Sequence, residues 1–191
     1  MTRASFILRG ALAAGAMYGV GAVTPFVSDS LGASGGGDVT ILNFALTLEY
    51  LETVFYKHKA KTVGLSATAA ALATTLAQQE QMHVNALTMA IKAAGGTPAK
   101  KPTFVFPVSN ESEFLKLAYT LENTGVGAYN GAGPSLVNKQ YLAAAGSIVQ
   151  IEARHAASIA QLTKGKITPN GAFDKPLTMP AVLAAVKPLI K

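Results

Sequence analysis

Two Glu-x-x-His tetrads carry the chemistry of this 191-residue chain: Glu80-Gln81-Met82-His83 and Glu152-Ala153-Arg154-His155. On a helix, positions i and i+3 share a face, so each tetrad sets a carboxylate beside an imidazole and can hold one metal ion. Two more glutamates stand in matching sequence, Leu48-Glu49-Tyr50 and Leu121-Glu122-Asn123. One carboxylate from each of two helices, with Glu-x-x-His from each of two others, is a ligand set for a pair of iron or manganese ions. The predicted metal ligands are Glu49, Glu80, His83, Glu122, Glu152 and His155. Singly, each has a plainer reading, as a solvated surface glutamate or a core histidine. Jointly they do not: with 7 Glu and 3 His in the chain, chance supplies ~0.1 Glu-x-x-His matches.

The elements that must position these residues are long helices. The chain is rich in alanine and leucine, which favour helix, and no strand-length stretch alternates, so the fold class is all-α. Asp38 is the predicted N-cap of a first helix ending near Lys61, and Ser66 of a second ending at Gly95-Gly96. Pro98, Pro102 and Pro107 break a long connection. Asn110 and Glu113 form a capping-box-like pair opening a third helix, which runs to about Gly131. A fourth follows the Gly133-Pro134 turn, from about Asn138 to Lys164. Short, long and short connections give two antiparallel hairpins joined by a crossover, the ferritin-like four-helix arrangement.

Register supports this reading. Glu49 and Glu80 lie 31 residues apart with the turn near Gly64 midway, and Glu122 and Glu152 lie 30 apart with the turn near Val137 midway. Residues equidistant from a hairpin turn share one height, so all four acids fall at one level of the bundle. The hairpins also repeat: Ala45-Leu46-Thr47-Leu48-Glu49 matches Ala118-Tyr119-Thr120-Leu121-Glu122, and seven residues on Tyr56 matches Tyr129. Both tyrosines return to the ligand face and are candidates to hydrogen-bond a ligating carboxylate, with core packing the other reading. Glu52, at i+3 from Glu49, is read as a neighbour of the site or a surface charge, with an additional ligand as the remaining option. His58, among lysines, is expected at the surface, and Arg154 is expected to pair with an acid. Between Thr62 and Ile91 the one charged residue is Glu80. A lone buried carboxylate on such a helix is costly unless a cation offsets it. Four carboxylates and two divalent ions are together neutral.

Composition narrows the rest. No cysteine is present, which excludes disulfides, thiolate metal sites and cysteine nucleophiles. The net charge of +6 comes from dispersed lysines without interleaved aromatics, so no nucleic-acid partner is expected. Residues 1–37 read as a segment apart from the bundle. Arg3 and Arg9 precede an uncharged, Ala- and Gly-rich run from Gly10 to Ser28. A basic start and an apolar run read as an export signal. The run, about 19 residues, also suffices to span a bilayer, so a membrane anchor through residues 1–28 is the second reading. A helix packed on the domain is the third. Gly35-Gly36-Gly37 forms a linker. Residues 38–164 are then the bundle, and 165–191 a tail whose short helix opens at Thr178-Met179-Pro180 and packs back on it.

The first-helix segment Asn43-Phe44-Ala45-Leu46 through Leu48-Glu49-Tyr50-Leu51-Glu52 resembles the ferritin-like domain family of exported bacterial proteins, related to desiccation-associated proteins. So do Glu80-x-x-His83-x-x-Ala86-Leu87, Leu121-Glu122-Asn123-Thr124-Gly125-Val126, Ile151-Glu152-Ala153-Arg154-His155-Ala156 and the tail motif Ala172-Phe173-Asp174-Lys175-Pro176-Leu177. The resemblance implies two iron ions, with manganese the alternative, and oxidation driven by oxygen or peroxide in the periplasm or cell envelope. The competing reading is a non-catalytic structural or interaction bundle of the envelope, linked to stress or desiccation. A homo-oligomer or an envelope complex is compatible with either. No catalytic residue beyond the ligand set is identified. Residues 1–37 fused to a reporter should carry it across the cytoplasmic membrane; a reporter found wholly in the cytosol would refute the export reading.

Overall fold

The computed structural model describes residues 37–191. They form α1 (Asp38–Thr62), α2 (Ala67–Ala93), α3 (Glu111–Ala132), α4 (Lys139–Thr163) and α5 (Met179–Val186), with single 3-10 turns at Gly133–Ser135 and Lys187–Leu189. The expected export signal, anchor or packed helix lies, apart from Gly37, outside the described residues. Among the described residues no helix is long and apolar enough to cross a membrane.

Small polar side chains start most of these helices by accepting hydrogen bonds from otherwise free backbone N–H groups. Ser66 takes the Ala69 N–H, Asn110 that of Glu113, Asn138 that of Gln140 and Thr178 that of Ala181. The Glu113 carboxylate turns back to the N–H and hydroxyl of Ser109, one residue earlier than a capping box would have it. The expectation for α1 needs correction. Asp38 lies inside the first turn, and the cap position is Gly37, at φ 89°. The Asp38 carboxylate instead accepts the N–H groups of Val137 and Asn138, at 2.7 and 2.8 Å. Those two donors precede α4 and are otherwise free, so Asp38 is worth more there, tying the start of α1 to the turn after α3. At the end of α2, Gly95 adopts φ 76° and the Gly96 N–H returns to the Ile91 carbonyl at 2.9 Å, closing the helix.

α1 packs along α2, and α3 along α4, with contacts also between α1 and α3 and between α2 and α4. The crossover sets the direction of the second hairpin. Near its start, buried Asn43 of α1 donates to the Thr97 carbonyl (3.1 Å) and accepts the Ala99 N–H (2.6 Å). Near its end, Lys59 of α1 donates to the Val108 carbonyl at 3.2 Å, and the Glu111 carboxylate accepts the Ser66 N–H. The crossover thus runs the length of α1, so α3 starts beside the end of α1 and runs antiparallel to it. This is the ferritin-like bundle.

The apolar interior falls into two clusters. One, beside the end of α1, contains Phe55, Leu76, Phe114 and Ile159, with Phe55 stacked on Phe114 at 4.8 Å. The other, beside its start, contains Leu42, Leu46, Ile91 and Ile148. Glu49, Glu80, Glu122 and Glu152, all fully buried, lie along the four helices between these two groups. The tail closes over α3. The Leu177 N–H donates to the mid-helix Gly127 carbonyl at 2.8 Å, and beyond it Val182 and Val186 of α5 are buried. A Cβ at Gly131 would meet the Leu177 carbonyl oxygen at 1.9 Å, so this crossing requires glycine. Gly131→Ala should displace the strap at a cost of about 1–3 kcal/mol, read as a melting point several degrees lower. Gly146→Ala on α4, where a Cβ meets nothing within 4 Å, should be neutral or stabilise by roughly 0.5–1 kcal/mol. Equal melting points for the two variants would refute the close approach.

Candidate metal centre

The four helices deliver all six predicted ligands to one point. Residues 49, 80, 122 and 152 are each fully buried, and His83 and His155 are 9% and 4% exposed. The ligating atoms fall into two groups, Glu49-Glu80-Glu152-His83 and Glu80-Glu122-Glu152-His155, each with its atoms within 4.8 Å of one another. Glu80 and Glu152 belong to both. The expectation that each tetrad serves one ion therefore changes: the glutamate of each tetrad is shared, and Glu49 and Glu122 belong to one group each. The reason is the antiparallel packing of α2 beside α4, which sets the two tetrads face to face. His83 Nδ1 lies 3.0 Å from Glu80, 3.2 Å from Glu49 and 3.1 Å from Glu152. His155 Nδ1 lies 2.8 Å from Glu80 and 3.2 Å from Glu122. The rings stack at 6.3 Å.

The tyrosines reach the site in crossed fashion. Tyr56 on α1 donates to Glu122 on α3, and Tyr129 on α3 donates to Glu49 on α1, each at 2.5 Å. In both glutamates Oε1 takes the tyrosine and Oε2 faces the histidine, so the hydroxyls fix which oxygen points inward. Burial, then the neighbouring glutamate charge, pushes both tyrosines well above their usual range and keeps them donors.

Two further residues belong to the site. Glu52 is 3% exposed, so its reading as a surface charge is overturned. It sits one turn after Glu49, on the same face of α1. Gln79 was not singled out by its spacing; its Oε1 lies 2.6 Å from His155 Nε2 and leaves Nδ1 to the carboxylates. The available signal was its place beside Glu80, the one charged residue between Thr62 and Ile91. His58 is exposed, as expected. Arg154 is exposed too, and among the described residues no acid forms an ion pair with it.

Electrostatically the cluster demands positive charge. Burial raises Glu49 to about 8 against the pull of His83. Burial also raises Glu122, and with the surrounding carboxylates drives Glu152 and Glu52 well above the usual range. Burial alone would raise Glu80 as well, but the ring nitrogens of His155 and His83 close beside it prevail and hold it at about 2. Burial opposes charge on the imidazoles, yet the carboxylates around them outweigh it, carrying His83 to about 12 and His155 to about 9. A proton on each Nδ1 would stand in for a cation.

The ferritin-like domain model matches residues 37–165. The chain belongs to this ferritin-like family. Among solved structures, the ferritin-like bundle is similar to a protein described as a ferritin-like diiron-carboxylate protein from Bacillus anthracis str. Ames. The TM-score is 0.61 at 22% identity, over 73% of this chain and 99% of that one. No curated protein matches at a significant level. The likeness shows the fold; the donors of this chain must speak for themselves. They fit metal. Both oxygens of Glu152, Oε2 of Glu52 and Oε1 of Glu80 are buried without a hydrogen-bond donor. For two of these oxygens a ring nitrogen stands near, 2.8 Å from Glu80 Oε1 and 3.1 Å from Glu152 Oε1, without hydrogen-bond alignment. Lone pairs left unsatisfied in an apolar interior are what cations would occupy.

Metal-free protein should show this cost as a pH dependence. Groups whose pKa rises on folding contribute stability that is complete below the unfolded value and is lost as pH rises through the folded one. For Glu49 that window runs from 4.5 to about 8, and for His155 from 6.5 to about 9. Glu80, lowered, acts oppositely and only as pH falls from 4.5 towards 2. Chelated protein should thus melt at a higher temperature at about pH 5 than at about pH 8. A flat or inverted profile in thermal melts would mean that the carboxylates do not share a buried site.

Proposed function

We propose that this ferritin-like chain binds two metal ions, iron in the first place and manganese as the alternative, through Glu49, Glu80, His83, Glu122, Glu152 and His155, and uses them for oxygen- or peroxide-dependent oxidation in the cell envelope. The observation that carries the reading is the set of buried carboxylate oxygens left without donors at one level of the bundle. Ferrous ions held by these residues would supply the electrons for reducing dioxygen or peroxide. What this chain contributes is position and dryness. Tyr56 and Tyr129 hold Glu122 and Glu49 so that one oxygen of each faces its histidine. Gln79 holds His155 by Nε2. The two apolar clusters keep bulk water from the carboxylates. Ligands must lose their protons to bind, and the surrounding carboxylates raise His83 and His155, so loading should release protons.

Burial also points to small reactants. The shared and terminal carboxylates expose no surface, so an organic molecule has no direct access to them. Beside Tyr129 an apolar cavity of about 40 Å³, lined by Ala45, Leu48 and Leu87, suits a species the size of dioxygen. Ferrous iron, dioxygen and peroxide all meet this size limit. The envelope location rests on reading the basic-then-apolar start of the chain as an export signal, with which the lack of cysteine is compatible. The same burial supports a second reading, a bundle that uses metal for stability alone.

Anaerobic loading of the full chain should give two irons per chain by elemental analysis, and air should then be consumed. His83→Ala should retain about one ion, whereas Glu80→Ala, which removes a shared ligand, should weaken both. Less than one metal per chain after loading would overturn the two-metal reading. Two stably bound irons without oxygen or peroxide consumption would favour the structural one.

A further inference from the structure

The two halves of the bundle repeat where the predicted ligands lie, and an unbroken repeat would make two equal metal positions. It breaks at two places next to them. Three residues after Glu49 stands Glu52; three residues after Glu122 stands Gly125. Directly before Glu80 stands Gln79; directly before Glu152 stands Ile151. Both breaks place a polar group on one half only.

Geometry assigns both to the same side. Glu80 turns Oε2 to His83 at 3.0 Å and Oε1 to His155 at 2.8 Å. Glu152 turns Oε1 to His83 at 3.1 Å and also belongs to the group with Glu122 and His155, for which Oε2 is the oxygen that does not face His83. A Cβ at Gly125 would lie 2.9 Å from that Glu152 Oε2 and 3.5 Å from Glu52 Oε1. Gly125 is therefore the gap across which Glu52 approaches Glu152 Oε2, the oxygen of the shared glutamate that does not face His83. Glu52 Oε2 is buried there without a partner. Gln79 completes the asymmetry by fixing the His155 ring, while Ile151 offers no acceptor in the corresponding place. The His155 side chain is 5% exposed and that of His83 11%, so the position with more donors is also the better covered.

We infer that the two metal positions are unequal: the one formed by Glu80, Glu122, Glu152 and His155 takes Glu52 as an additional carboxylate ligand, fills first and retains its divalent ion, and the one formed with Glu49 and His83 fills second and exchanges. This rests on the two-metal reading above. A fourth carboxylate and an oriented imidazole strengthen one site; orienting partners of metal ligands are typically worth 10–100-fold in affinity.

The test is a titration of metal-free full chain with Co²⁺, followed by calorimetry and by cobalt absorption. Two steps of one ion each are expected, with dissociation constants at least about tenfold apart. Glu52→Gln, which keeps shape and removes the charge, should weaken the first step about tenfold or more and leave the second within about threefold. Gln79→Ala should weaken the first step alone. His83→Ala should remove the second step and spare the first. Circular dichroism would establish that each variant is folded, and Met89→Ala, at an exposed position of α2, should change neither step. Two ions of indistinguishable affinity in the native chain, or a Glu52→Gln effect that is equal on both steps or absent from both, would overturn the inference. A native chain that binds no Co²⁺ would overturn the two-metal reading itself.

Discussion

Five carboxylates held at one level of an apolar bundle repel one another, and the rest of the structure answers to that repulsion. Glu49, Glu52, Glu80, Glu122 and Glu152 have lost nearly all contact with water. An ionised carboxylate in such surroundings is costly, and several together are worse. Without metal, the chain meets the cost with protons, on two imidazoles and on the carboxylates whose pKa is raised. That solution reduces the negative charge but leaves oxygens of Glu52, Glu80 and Glu152 without donors. The fold therefore preserves an arrangement that protons satisfy only in part.

Holding such a cluster requires rigidity at a distance from it. Helices of 22 to 27 residues bring the acids together, and each end of the bundle is tied separately. At one end Asp38 binds the backbone before α4, and Asn43 binds the start of the crossover. At the other, Lys59 holds the Val108 carbonyl and a Phe55–Phe114 stack fills the interior. The strap at Leu177 crosses α3 at Gly127 and Gly131, on either side of Tyr129. Its contacts therefore fix the stretch of α3 from which the Tyr129 hydroxyl reaches Glu49. Remote packing and ligand orientation are one problem here, because a tyrosine from each hairpin holds the terminal glutamate of the other.

Much of this was legible in the sequence, because helix periodicity and hairpin register are local rules. Spacing about the turns at Gly64 and Val137 placed Glu49, Glu80, Glu122 and Glu152 at one height, and i+3 spacing paired each histidine with a glutamate. The long proline-broken connection implied the crossover. Spacing within one helix says nothing of what lies opposite it. The burial of Glu52 depends on a gap at Gly125, and the role of Gln79 on the position of His155 across the bundle. Asp38 was legible as a helix-start residue but not as the acceptor for a turn 99 and 100 residues away. The sharing of Glu80 and Glu152 likewise follows from how α2 meets α4, which neither sequence contains alone.

The break in the repeat at Glu52 and Gly125 follows from space as well as from chemistry. In a twofold site, each half would bring its own carboxylate three residues after its terminal glutamate. At position 125 even a single carbon would lie 2.9 Å from Glu152 Oε2, closer than real Cβ contacts come. A glutamate there would have to expel either Glu152 from its place between the two histidines or Glu52 from beside it. It would also add a sixth carboxylate to a site where two divalent ions would neutralise four. Close packing and charge thus permit the extra carboxylate once. Which half carries it is settled by the glycine opposite: the half that gives up its side chain at 125 makes room for the other half's glutamate, and a duplicated sequence acquires two unlike positions from a single gap.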